Sequence, residues 1–85
     1  LHMQFEQQLQ ELQLARETIL YYENTALKNA AIISNNANKN YAGGEISYIE
    51  YLQGNQTVLE INSNYLLSIY NHNQAVINLH YLLNQ

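Results

Sequence analysis

Tyr41-Ala42-Gly43-Gly44-Glu45-Ile46-Ser47-Tyr48-Ile49-Glu50-Tyr51-Leu52 decides the fold, because it writes the end of one helix and the start of another into twelve residues. Gly43 and Gly44 are the only adjacent glycines in the chain. Lacking a Cβ, glycine accepts the left-handed backbone that closes a helix C-terminus. Three residues on, Ser47 can accept from the amide of Glu50 while the Glu50 carboxylate accepts from the amide of Ser47, a Ser-x-x-Glu capping box. Ile46 before the cap and Tyr51 in the first turn are spaced as a hydrophobic staple, which sets the angle at which the chain enters the helix. Stop, turn and restart are each specified, so the stretch reads as a hairpin tip at 43–46.

Outward from the tip, the chain has no proline, so nothing but glycine can interrupt a long helix. The first arm is expected over about 4–42. Leu12, Ala15, Ile19, Tyr22, Ala26, Ala30, Ile33 and Ala37 recur at steps of three and four, a seven-residue beat like a coiled-coil seam. The second arm is expected over about 47–83 and carries two stripes. One is Ile49, Leu52, Leu59, Leu66, Tyr70 and Ile77, interrupted by Gln56, Ser63 and Asn73. The other is Tyr48, Tyr51, Val58, Tyr65, Ile69, Val76 and Leu79, interrupted by Asn55, Asn62 and His72. Gly54 lies inside this helix at a cost of about 1 kcal/mol against alanine, which close approach of a neighbouring helix would explain.

Arms of about 38 residues would each extend roughly 55–60 Å. Folding about Gly44 sets Ala37 against Leu52, Ala30 against Leu59, Tyr22 against Leu66 or Leu67, Ile19 against Tyr70 and Leu12 against Ile77. The fold class is therefore all-α, a long antiparallel two-helix coiled-coil hairpin. Two helices cannot enclose a core, and chains this short are marginal alone. The second stripe thus predicts more helices against it, from other copies or from a longer parent protein, and for this chain alone association into a helical bundle, a dimer or higher, through Tyr48, Val58, Tyr65, Ile69 and Val76.

Composition narrows the function. The net charge is −4 and the only basic residues are Arg16, Lys28 and Lys39, too few to follow a phosphate backbone, so nucleic acid is not an expected partner. No cysteine is present, which removes disulfides, thiolate metal sites and a cysteine nucleophile. No apolar run approaches the ~18 residues of a membrane span. Leu1-His2-Met3 has no basic region followed by an apolar core, as a signal peptide would; residues 1–3 read as a cloning scar before a start inside a longer protein.

The run Tyr41-Ala-Gly-Gly-Glu-Ile-Ser-Tyr-Ile-Glu-Tyr-Leu-Gln, with Asn64-Tyr65-Leu66-Leu67 and Tyr70-Asn71-His72-Asn73-Gln74-Ala75-Val76, resembles the TolC-like outer membrane efflux proteins, most of all the heavy-metal branch (the CusC/CzcC type). The resemblance covers about 12–83. It implies a coiled-coil hairpin of a periplasmic tunnel, in which such hairpins pack side by side in a trimer to form an α-helical barrel. The hairpin tips in that family meet a periplasmic adaptor, which links the duct to an inner-membrane RND pump. Carried over, the adaptor-docking tip falls on Gly43, Gly44, Glu45, Ile46 and Ser47; the helix-packing interface, read from the stripes and the hairpin register, is Ala30, Ala37, Leu52, Val58, Leu59, Tyr65, Leu66, Ile69 and Val76. The implied setting is the periplasmic portion of a Gram-negative outer membrane or cell-envelope protein, exporting heavy-metal cations. Similar segments also extend RND-type metal transporters, so either parent fits. The family has a variable residue where Gly43 stands, and its β-strands and second repeat are not in this chain.

Plainer readings stand beside these. Gly43-Gly44 also reads as a helix-stopping turn alone, and Glu45 as a solvated charge near a helix N-terminus rather than part of a cation-attracting ring. His72 and His80 are eight residues apart, too far to hold one ion from a single helix, so no metal or other cofactor is expected. With no Asp, no Cys and no Ser-His pair in register, an enzyme is not expected. The alternative function is a generic helical oligomerisation module with no binding at the tip.

Overall fold

The computed structural model describes residues 2–84. Leu1, part of the stretch set aside as a scar, and Gln85 lie outside the described residues. The elements are α1 (His2–Tyr21), a π turn (Tyr22–Ala26), α2 (Leu27–Ala42) and α3 (Tyr48–Leu83). The first three form one arm that runs through His2 and Met3 as helix, and α3 returns alongside it. The molecule is an all-α antiparallel hairpin with the proportions of two helices side by side, 61 × 18 × 15 Å.

The tip closes with both of the devices that its residues encode. Gly43 keeps a right-handed backbone (φ −81°, ψ −2°), and the left-handed residue is Gly44 at φ 75°. The Gly44 amide donates to the Tyr41 carbonyl at 3.1 Å and the Glu45 amide to the Asn40 carbonyl at 2.8 Å. These are the two bonds of a Schellman cap, and they satisfy carbonyls that the ended helix leaves without partners. Ser47 then caps α3: its Oγ accepts from the Glu50 amide at 3.1 Å, and the Ser47 amide donates to Glu50 Oε1 at 3.2 Å.

The seam between the arms differs from the expected register. Ala37 lies against Gly54, not Leu52: a Cβ built on Gly54 would stand 3.3 Å from Ala37 Cβ and 3.9 Å from Ile33 Cγ2. Tyr22 meets Tyr65, with ring centroids 6.3 Å apart, rather than Leu66 or Leu67. Leu52, Leu59, Leu66, Tyr70 and Ile77, all assigned to the seam by size, are 45–65% exposed. The face of α3 turned to the first arm is Tyr51, Gly54, Val58, Ile61, Tyr65, Ser68, His72, Ala75, Leu79 and Leu82, every one buried or half-buried. Those ten positions step by three and four without a break.

Small side chains decide the rotation. Gly54, Ser68 and Ala75 on α3 face an arm that buries Ala26, Ala30 and Ala37, so the backbones can close to short range. Two rows of leucine in the same place would hold them apart. Ser68 enters this contact because its hydroxyl donates to the Tyr65 carbonyl at 2.6 Å, leaving no hydrogen-bonding group unmet.

Candidate functional site

Two surfaces stand out among the described residues once the seam is closed. The first is the tip. Gly43, Gly44, Glu45 and Ser47 are exposed there, and Ile46 is half-buried. Gly44 has no heavy atom within 4 Å of where its Cβ would be, so this corner of backbone stands open to solvent. Gly43 is close to its own helix, 3.4 Å from the Lys39 carbonyl oxygen.

Behind the turn three tyrosines gather, a feature that sequence reasoning missed. Tyr41 from α2 packs at 4.6 Å (ring centroids) on Tyr51 and 5.9 Å on Tyr48, which themselves lie 6.3 Å apart on α3. Aromatic pairs in such tilted arrangements contribute about 0.5–1.5 kcal/mol beyond their area. The trio links the end of α2 to the start of α3 beside the turn, with Tyr51 half-buried and Tyr41 and Tyr48 37% and 58% exposed. Its signal in the sequence is that Tyr41 ends one helix while Tyr48 and Tyr51 open the next, three apart on one side.

The second surface is the outer face of α3. Ile49, Leu52, Leu59, Leu66, Tyr70 and Ile77 form a stripe along it, exposed at 66, 45, 64, 65, 58 and 59% respectively. It spans 29 residues, about 42 Å of helix. Of the nine residues expected at a packing interface, the structure therefore separates two groups. Ala30 and Ala37 are buried and Val58, Tyr65, Ile69 and Val76 half-buried at the hairpin's own seam or its margins, whereas Leu52, Leu59 and Leu66 face outward. Val58, Tyr65, Ile69 and Val76, expected to carry association between copies, already have part of their surface taken by contact within the hairpin. Tyr48 alone of that set stays well exposed, at 58%.

Midway along the seam Tyr65 donates from its hydroxyl to Glu23 Oε2 at 2.9 Å, tying α3 to the π turn. This bond, then partial burial and the negative charge of Glu23, all raise the Tyr65 pKa above the ordinary tyrosine value. A groove of about 480 Å³ runs between the arms, lined by Ala15, Ser68, Ala75, Asn64, Asn71 and Asn78 among others.

Among the described residues no three His, Cys, Asp or Glu side chains are grouped so as to hold a metal ion. His72 lies half-buried in the seam and His80 outside it. Among the described residues no helix is long and apolar enough to cross a membrane. Compared with family models, with curated proteins and with solved structures, the chain matches none. What the geometry offers is one uncovered apolar stripe and one exposed, well-braced turn.

Proposed function

We propose that this hairpin is a wall element of a helical assembly, and in particular the periplasmic α-barrel hairpin of a TolC-like efflux duct in tripartite, heavy-metal cation export. The observation that carries the assembly is the outer stripe of α3. Its six large side chains are about 60% exposed on average, and fully burying such a side chain contributes roughly 1.5–3 kcal/mol. Covering what remains exposed would thus supply about 6–10 kcal/mol, comparable to the ~4–15 kcal/mol of freedom lost on association. A stripe of that strength, without one charge between Ile49 and Ile77 on its own line, fits against the apolar face of another helix. Side-by-side packing of hairpins, a trimer in the parent and a dimer or higher for this chain, satisfies it.

The finer reading rests on the resemblance of the tip and second arm. It makes Gly43, Gly44, Glu45, Ile46 and Ser47 the docking surface for the helical hairpin of a periplasmic adaptor, and through it an inner-membrane RND pump. It places the chain in the periplasmic part of a Gram-negative envelope protein. The bracing of the turn by Tyr41, Tyr48 and Tyr51 supports a tip that keeps its shape under a partner. The alternative, an oligomerisation module with an idle tip, is favoured by one fact: cap and capping box already account for the bonding of the turn.

Titration of the chain with the isolated hairpin of its adaptor separates the two. Gly43→Arg is the informative variant, since Gly43 has a right-handed backbone that any residue adopts, whereas any change at Gly44 strains the turn itself. Saturable binding that Gly43→Arg and Glu45→Lys abolish, with helicity retained, supports docking. Binding unaffected by both, or absent even when hairpins are tethered as a ring, leaves the oligomerisation module.

A further inference from the structure

The first arm changes the phase of its seam at the π turn. Upstream, Leu12, Ala15, Ile19 and Tyr22 face α3; downstream, Leu27, Ala30, Ser34 and Ala37 do, all of them buried or half-buried. Each set alternates steps of three and four. Between Tyr22 and Leu27, however, the step is five, and from Tyr22 to Ala30 it is eight where the beat requires seven. One residue is in excess.

At 3.6 residues per turn, an uninterrupted α-helix would place the two halves of the seam about 100° apart in rotation. One half would leave α3. The wide turn absorbs the residue: the Leu27 amide reaches back five residues to the Tyr22 carbonyl, and Ala26 stays buried inside it. The turn is fastened from across the hairpin, by the Tyr65 hydroxyl on Glu23 and the Tyr65 ring near Tyr22.

We propose that Tyr22–Ala26 is a one-residue phase corrector and the joint of the first arm, the place where its two rigid halves meet and where it bends most readily. Deletion of Asn24, an exposed residue of the turn, then leaves the beat unbroken. Tyr22 would stand three residues before Ala26, four before Leu27 and seven before Ala30. Losing a residue from the middle of a long helix is ordinarily ruinous to a coiled seam; here the loss repairs it.

The test compares the full 85-residue chain with two single deletions, of Asn24 and of Asn36. Asn36 is equally exposed but lies in regular α-helix one position from Ala37. Deleting Asn24 is expected to keep or raise the urea midpoint, and deleting Asn36 to lower it clearly. Amide hydrogen exchange supplies the second readout. In the parent chain Ala26 and Leu27 exchange faster than Ala15 and Ala37, and in the Asn24 deletion that difference disappears. An Asn24 deletion that unfolds, or that loses as much stability as the Asn36 deletion, overturns the proposal, as does uniform exchange along the parent arm.

Discussion

Gly54 is where the seam is tightest and where a substitution tests it most sharply. Two opposing terms act there. Any non-glycine residue other than proline gains helix propensity at this interior position, up to about 1 kcal/mol. Against that, an alanine Cβ meets Ala37 Cβ at 3.3 Å, inside the ~3.5–4.0 Å at which two carbons attract best. Ala37 belongs to the other arm and can withdraw by a few tenths of an ångström. Gly54→Ala should therefore lie between neutral and about 1 kcal/mol more stable, short of the full propensity gain. Gly54→Leu adds three more carbons to a contact that has no room, and overpacking of that kind costs about 1–3 kcal/mol. After the propensity gain, a net loss of up to about 2 kcal/mol is expected. Urea unfolding followed by far-ultraviolet circular dichroism measures it, at one protein concentration because association would shift the midpoint. In an Ala37→Gly background the same leucine should cost less, with a coupling of about 1 kcal/mol. Additive effects, or a Gly54→Leu chain more stable than its parent, would falsify the close approach.

Three further outcomes follow from the tip and the seam. Gly44→Ala, at φ 75°, should cost about 1–2 kcal/mol while Gly43→Ala, already right-handed, stays near neutral; equal losses in urea unfolding would contradict the Schellman geometry. Ser47→Ala should lower stability by about 1 kcal/mol, and Glu50→Gln by much less because an amide oxygen still accepts from the Ser47 amide; the reverse order would remove the capping box from the account. Tyr65 has a folded pKa raised above its unfolded value of 10.0, so its bond to Glu23 contributes below pH 10 and is lost as pH rises through the folded pKa. Urea midpoints across the alkaline range should fall more steeply for the parent than for Tyr65→Phe, and parallel curves would show that the bond carries no weight.

The hairpin was legible in the sequence because its tip residues act locally. Gly44, Ser47 and Glu50 each bond within five residues, and no distant contact can override them. The rotation of α3 was not legible by apolarity, because the face it turns to the first arm coincides with neither apolar stripe and depends on what the partner arm can accommodate. An arm lined with Ala26, Ala30 and Ala37 accepts Gly54, Ser68 and Ala75 closely, and this brings a face with small and polar residues into the seam. The signal was present as the unbroken three-and-four spacing from Tyr51 to Leu82, masked by a serine and a histidine in core positions. The π turn was likewise visible as two successive steps of four, Tyr22 to Ala26 to Ala30, within a stripe read as regular. The tyrosine trio depends on the turn bringing two helix ends together, so it appears only once the tip is folded. Docking is a different matter: the geometry of Gly43 and Glu45 is that of any well-made turn, and only a partner distinguishes it.

Sedimentation equilibrium of the chain beside a Leu59→Lys, Leu66→Lys double variant tests the central claim most directly. Both leucines lie mid-stripe, at 64% and 65% exposure, with no part in the seam. The account predicts that the parent chain self-associates, and that the variant is a monomer with the same helicity. A parent that stays a well-folded monomer at high concentration, or a variant that associates as strongly as the parent, would contradict it.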